Sequence, residues 1–112
     1  MSERELRIGR TEAMFRNVNE LIAEGARRFE SRESDFVCEC ADAGCAERVR
    51  VTLEEYEYVR ADGTRFLVVP GHEDTRIERV VARPHRRLAV IEKFNAIVAR
   101  VVHRLNPRTR PT

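Results

Sequence analysis

The chain has 112 residues, of which 42% are hydrophobic and 36% charged, with 21 Lys and Arg against 19 Asp and Glu. The charged fraction exceeds the roughly 25% of an ordinary domain, yet the formal net charge is only +2, so opposite charges interleave on a soluble surface and argue against an overall nucleic-acid-binding charge. No apolar run approaches the roughly 20 residues of a membrane-spanning helix, and the N-terminal segment is studded with Glu and Arg, so neither a membrane segment nor a signal peptide is expected.

From Glu3 to about Arg32 no proline interrupts the chain, and Phe15, Val18, Ile22, Ala26 and Phe29 recur at steps of three and four. This spacing predicts one long amphipathic helix with those residues inward and its Arg and Glu residues, Glu12 and Arg16 among them, on the solvent faces. Gly9 and Gly25 weaken it locally, and Thr11 is a candidate N-cap if the first turns fray. A polar break over 31–35 leads into β-like sequence, Phe36-Val37 and then Val49 and Val51 alternating with Arg48 and Arg50. Between these lies Cys38-Glu39-Cys40-Ala41-Asp42-Ala43-Gly44-Cys45, with turn-forming Asp42 and Gly44, which predicts a capped hairpin. Thr52 with Glu55 three residues on has the capping-box pattern and starts a short helix from Leu53 to about Arg60, ended by Asp62-Gly63.

Phe66-Leu67-Val68-Val69, stopped by Pro70-Gly71, and Leu88-Ala89-Val90-Ile91 are the next predicted strands. Between them, Asp74 to Ala82 is read as holding a helical turn carrying Ile77, Val80 and Val81. From Lys93 to Leu105 the broad stripe of Phe94, Ile97, Val98, Val101, Val102 and Leu105 predicts a second helix, closed by Asn106-Pro107. The expected architecture is a single α+β domain over residues 1–106 with a small antiparallel sheet, followed by a disordered basic tail over 107–112. At this length a folded chain hides about two-thirds of the surface its unfolded form exposes, a core that a metal or a partner would reinforce.

Cys38, Cys40 and Cys45 form a C-x-C-x4-C knuckle. Three thiols crowded into eight positions cannot pair off as disulfides and suit a reducing, cytoplasmic compartment. Thiolates are soft ligands, and three on one hairpin leave one vacancy in a tetrahedral Zn2+ shell. Of the three histidines, His85 lies among Arg83, Arg86 and Arg87, where a dication is repelled, and His103 is flanked by Arg100 and Arg104. His72 follows a Pro-Gly turn at the end of a predicted strand and is the expected fourth ligand, with Asp42, Glu47 or a water as alternatives. Redox cycling between Cys38 and Cys40 is disfavoured, because a C-x-C disulfide closes a small strained ring.

The knuckle spacing is similar to that of the post-SET zinc knuckle of protein lysine methyltransferases, where a distant fourth cysteine completes the metal shell. The rest of the chain does not resemble a SET domain, so only the metal geometry carries over. A broader resemblance runs through Glu12-Ala13-Met14-Phe15-Arg16-Asn17-Val18-Asn19-Glu20, Phe36-Val37-Cys38-Glu39-Cys40 with Cys45, Leu53-Glu54-Glu55-Tyr56-Glu57, Arg65-Phe66-Leu67-Val68-Val69-Pro70-Gly71-His72 and Val90-Ile91-Glu92-Lys93. These segments resemble a family of short uncharacterised proteins from high-GC bacteria. The resemblance implies a cysteine knuckle paired with a Pro-Gly-His turn, supporting Cys38, Cys40, Cys45 and His72 as one ligand set, and it implies no substrate.

Neither an H-E-x-x-H pair, a glycine-rich phosphate loop nor a G-x-S-x-G elbow occurs, and a closed Cys3His shell is structural more often than catalytic, so no enzyme is expected. The leading expectation is a zinc-binding module with a binding or regulatory role. Residues 1–56 carry 9 Arg against 13 Asp and Glu, and residues 57–112 carry 12 Lys and Arg against 6 acids. The two halves either pair with each other or face partners. The basic half, through Arg83, Arg86, Arg87, Arg100 and Arg104, is the candidate surface if the protein is a nucleic-acid-binding accessory. A protein partner, or a second copy packed along the long first helix, is the other expectation, and a thiol–zinc redox sensor is a further alternative.

Overall fold

The computed structural model describes residues 2–108. Its elements in chain order are α1 (Glu3–Arg28), β1 (Glu33–Val37), β2 (Arg48–Thr52), α2 (Leu53–Arg60), β3 (Arg65–Val68), β4 (Glu78–His85), β5 (Leu88–Lys93) and α3 (Ala96–Arg104). β1 and β2 form an antiparallel hairpin, and β3, β5 and β4 form a second antiparallel sheet in that spatial order, giving an α+β fold. Thr52 and Glu55 make the expected reciprocal capping box, each side chain satisfying the other residue's backbone N–H at the start of α2.

α1 packs along β1 and α3, and α2 lies against β3. The interior is built on Phe36 stacked over Tyr56 at 4.5 Å, on Phe66, Leu67 and Val68 of β3, and on Leu88–Ile91 of β5, all buried. Burial of β5 on both faces explains why Leu88–Ile91 is an unbroken apolar run.

Two readings of the sequence are corrected. Residues 78–82, expected in a helical turn, belong to strand β4, with Glu78, Val80 and Ala82 turned inward and Arg79, Val81 and Arg83 outward. β4 is an edge strand with shifted register past Val80, which accommodates Pro84, and it returns through the two-residue turn Arg86-Arg87 into β5.

The second correction concerns α1, which begins at Ser2 as N-cap, with Thr11 inside the helix. Its buried face is Ile8, Glu12, Arg16, Asn19, Ala23 and Ala26, while Val18 and Phe29, expected inward, are exposed. The polar residues on the buried face find partners far away in sequence. Arg16 donates to the carbonyls of Gly63 and Val102, and Lys93 is held between Glu12 and Glu78 with all three side chains fully enclosed. Arg16, Arg60 and Lys93 all lie against the Phe66 ring, at 4.8, 5.2 and 4.9 Å from its centroid.

Acids of the first half meet bases of the second at Glu12–Lys93, Glu39–Arg60 and Glu20–Arg108. Arg108 lies in the segment expected to be a tail, yet it makes ion pairs with both Glu20 and Glu57. Residues 109–112 lie outside the described residues.

Candidate metal centre

The knuckle grows out of the β1–β2 hairpin. Past Val37 the chain keeps one more rung, Cys38 N–H to the Glu47 carbonyl at 3.1 Å, and then crosses to β3, where Glu39 N–H donates to the Leu67 carbonyl at 2.9 Å. In this extended segment, side chains alternate, so Cys38 and Cys40 share one side and Glu39 faces the other. The Glu39 side chain is fully buried; it accepts from Leu67 N–H at 3.0 Å and from the Asn19 amide at 2.8 Å, with Arg60 at 3.8 Å. Asn19 also bonds both the N–H and the carbonyl of Val37, each at 2.8 Å, occupying the place a neighbouring strand would take.

The turn that returns Cys45 is closed by Asp42: its carbonyl accepts from Cys45 N–H at 3.0 Å and its carboxylate from Gly44 N–H at 2.9 Å. His72 arrives from the end of β3. Pro70 and Gly71 occupy the central positions of a turn closed by His72 N–H to the Val69 carbonyl at 2.9 Å, and Gly71 has φ +95°, the left-handed conformation that a type II turn needs there. Glu73 is used within this loop, accepting from Gly71 N–H at 3.0 Å.

These three local devices bring Cys38, Cys40, Cys45 and His72 together, with one ligand atom from each lying within 4.8 Å of every other. His72 Nδ1 is 3.6 Å from both the Cys38 and the Cys45 sulphur. With Zn–S near 2.3 Å and Zn–N near 2.05 Å, a regular tetrahedron has an S···N edge of about 3.6 Å. Cys38 and Cys40 are buried, whereas Cys45 and His72 are half-buried at the rim. Val69 N–H donates to the Cys38 sulphur at 3.3 Å, a contact that orients the sulphur and would stabilise a thiolate there.

The thiols already share charge among themselves. The hydrogen bond with Cys40, followed by burial, pushes the Cys38 thiol up, while the same hydrogen bond, made to a Cys40 thiolate, pulls Cys40 down to about 5. Burial raises Cys45 as well. One anion is thus stabilised by its neighbours' S–H groups, and a dication placed at the centre would replace those protons.

The other candidate ligands stand apart. Asp42 and Glu47 are not members of the cluster. His85 sits at the far end of β4, where its Nε2 is 2.9 Å from the Glu55 carboxylate and its Nδ1 accepts from Arg87 N–H. Among the arginines considered for nucleic acid, Arg83, Arg86 and Arg87 gather at the β4–β5 turn, while Arg100 and Arg104 are on α3, which follows the opposite end of β5. Arg83 lines a groove of about 530 Å3 whose other charged residues are Glu54 and Glu55. Asn19 and Glu39, which fix the knuckle, were missed by sequence reasoning, since their partners are distant in the chain.

Among the described residues no helix is long and apolar enough to cross a membrane. Comparisons with family models, with curated proteins and with solved structures give no match for this chain.

Proposed function

We propose that the protein is a small Zn2+-binding module of non-enzymatic, binding or regulatory role, in which Cys38, Cys40, Cys45 and His72 form a closed structural site. The observation that carries this reading is the pair of 3.6 Å separations from His72 Nδ1 to two sulphurs, the edge length of a tetrahedral ZnS3N shell. The choice of zinc rests on the donor set, because three thiolates and one imidazole suit a borderline-soft ion that prefers four ligands. A filled shell has no position for a substrate or a reactive water, which favours a clamp over a catalyst. The clamp would join the β1–β2 hairpin to the loop after β3, reinforcing the hydrogen bonds that Glu39 and Cys38 already make to Leu67 and Val69. In zinc-finger peptides such a site contributes about 10–16 kcal/mol of apparent binding free energy, comparable to the whole stability of a small domain.

Elemental analysis of the untagged protein should find one zinc per chain. Cys45→Ser and His72→Ala, both at the rim, should lose the metal, and the wild-type melting temperature should fall on chelation. Retention of stoichiometric metal by both variants would overturn the assignment. The partial exposure of Cys45 favours a second reading, release of the metal by oxidation. Peroxide would take two electrons from the Cys45 thiolate, giving a sulfenic acid and hydroxide and removing one ligand. Stoichiometric zinc release at low peroxide, measured with a chromogenic chelator and accompanied by a sulfenic-acid label on Cys45, is its test, and release only at high peroxide argues against it.

A further inference from the structure

α1 carries polar residues on its buried face and apolar ones among the charges of its exposed face. Its buried face carries Glu12, Arg16 and Asn19, and its outward face carries Met14, Val18 and Leu21, which are 50, 40 and 70% exposed. These three lie at i, i+4 and i+7, so they form one continuous ridge on the side facing away from the domain core. Isolated exposed apolar residues are commonplace, but an aligned apolar ridge flanked by charge marks a contact surface.

Two of the charges beside the ridge, Arg10 and Glu24, fit one occupant, while Arg7 and Arg28, on the line of Met14 and Leu21 at its ends, meet like charge in the same arrangement and keep the association weak. Asn17 lies at its middle, with Arg10 seven residues before and Glu24 seven residues after, so all three share one flank, two turns apart. A second copy of α1 laid antiparallel, with the two-fold axis passing by Asn17, sets Arg10 of each copy against Glu24 of the other. Met14 of each copy then lies beside Leu21 of the other, the two Val18 side chains flank the axis, and Asn17 meets its own counterpart, whose carboxamide offers both a donor and an acceptor. A parallel pairing would instead oppose Arg10 to Arg10 and Glu24 to Glu24. Among the described residues Arg10 makes no ion pair within the chain, and Glu24 makes a long, exposed contact of 3.5 Å with Arg28.

We infer that the exposed ridge of α1 is a self-association surface on which two copies of this chain pair as an antiparallel, two-fold symmetric dimer centred on Asn17. The matched segment, Arg10 to Glu24, is about four turns long, a small interface by the standards of stable complexes, so a concentration-dependent dimer is expected.

The test uses light scattering on the zinc-loaded chain across roughly 1 to 500 µM, the range in which an interface of this size dissociates. The wild type should shift from monomer mass to dimer mass across that range. Leu21→Glu should stay monomeric. Arg10→Glu and Glu24→Arg should each weaken association at least about tenfold, because each places like charges together at both symmetric contacts. An equimolar mixture of the two variants should recover the dimer. In the mixed pair one contact joins the two substituted side chains and the other joins the native Arg10 and Glu24, so both are attractive, and this recovery also proves that the variants are folded. A wild type that remains monomeric at the highest concentration overturns the proposal and leaves the ridge to a different protein. Dimerisation without recovery in the mixture overturns the antiparallel register.

Discussion

The enclosed triad of Glu12, Lys93 and Glu78 makes a prediction about pH. Glu12 has its Oε2 on the Lys93 ammonium, but its Oε1 is buried with no hydrogen-bond partner among the described residues. Glu78 shares the same ammonium and also accepts Asp74 N–H at 3.0 Å, so it is the better hydrogen-bonded carboxylate of the two. One cation between two acids leaves one proton to be held, and burial pushes Glu12 up from 4.5 to about 8. The folded state therefore keeps a proton that the unfolded chain releases above its ordinary pKa. The stabilisation is fully present below 4.5 and is lost as pH rises toward 8. At up to about 1.4 kcal/mol per pH unit, the loss between pH 6 and 8 amounts to about 2 kcal/mol. Glu12→Gln mimics the protonated side chain and cannot titrate. Urea unfolding of both proteins at pH 6, 7 and 8, a window in which thiolate and imidazole ligands retain metal, should show the variant gaining on the wild type by about that amount. Parallel stability curves would refute the reasoning, because they would mean that Glu12 is ionised throughout.

His72→Ala should lose its zinc to a chelator that the wild type withstands, and its melting temperature should fall to that of the chelated wild type, since His72 is at the rim and its removal takes away a ligand more than core packing. Asn19→Ala strips partners from Val37 N–H, the Val37 carbonyl and Glu39 Oε2 together, and should cost about 2–4 kcal/mol in urea unfolding, with weaker zinc retention because Val37 leads directly into Cys38. Gly9→Ala and Gly25→Ala should differ in sign. A Cβ at Gly9 would come within 2.6 and 2.8 Å of Val101 atoms on α3, destabilising by about 1–3 kcal/mol, whereas at Gly25 it meets nothing within 4 Å and should stabilise α1 by up to about 1 kcal/mol.

The features legible in the sequence are those whose signals are local. A capping box needs only Thr52 and Glu55, and the Pro70-Gly71 turn and the Asp42–Cys45 turn are each set by residues within four positions. The Cys38, Cys40, Cys45 and His72 cluster could be read because metal chemistry restricts side-chain types, and three of its four members sit on one hairpin. The face of α1 was not legible for the opposite reason. Hydropathy assigns the inward face by counting apolar residues, but Arg16 is buried because carbonyls 47 and 86 residues away accept its hydrogen bonds. β4 was misread because Glu78 occupies an inward position, where charge masks the alternation of Val80 and Ala82, and because Ile77, Val80 and Val81 fit helical spacing equally well.

The polar interior and the cysteine knuckle are one arrangement. A C-x-C pair presents both sulphurs on the same side only if its middle residue points the opposite way, and here that direction is into the core. A leucine at position 39 would satisfy burial but would leave Leu67 N–H and the Asn19 amide without acceptors. A glutamate supplies both, and its charge is balanced by Arg60 on α2. Asn19 in turn is inward because α1 presents its polar stripe to β1, which leaves the apolar residues Met14, Val18 and Leu21 on the outside. The same choice of helix face thus positions the thiols and exposes the ridge. A buried polar network of this kind contributes little net stability compared with well-packed apolar groups, and its value here lies in fixing one register for the knuckle.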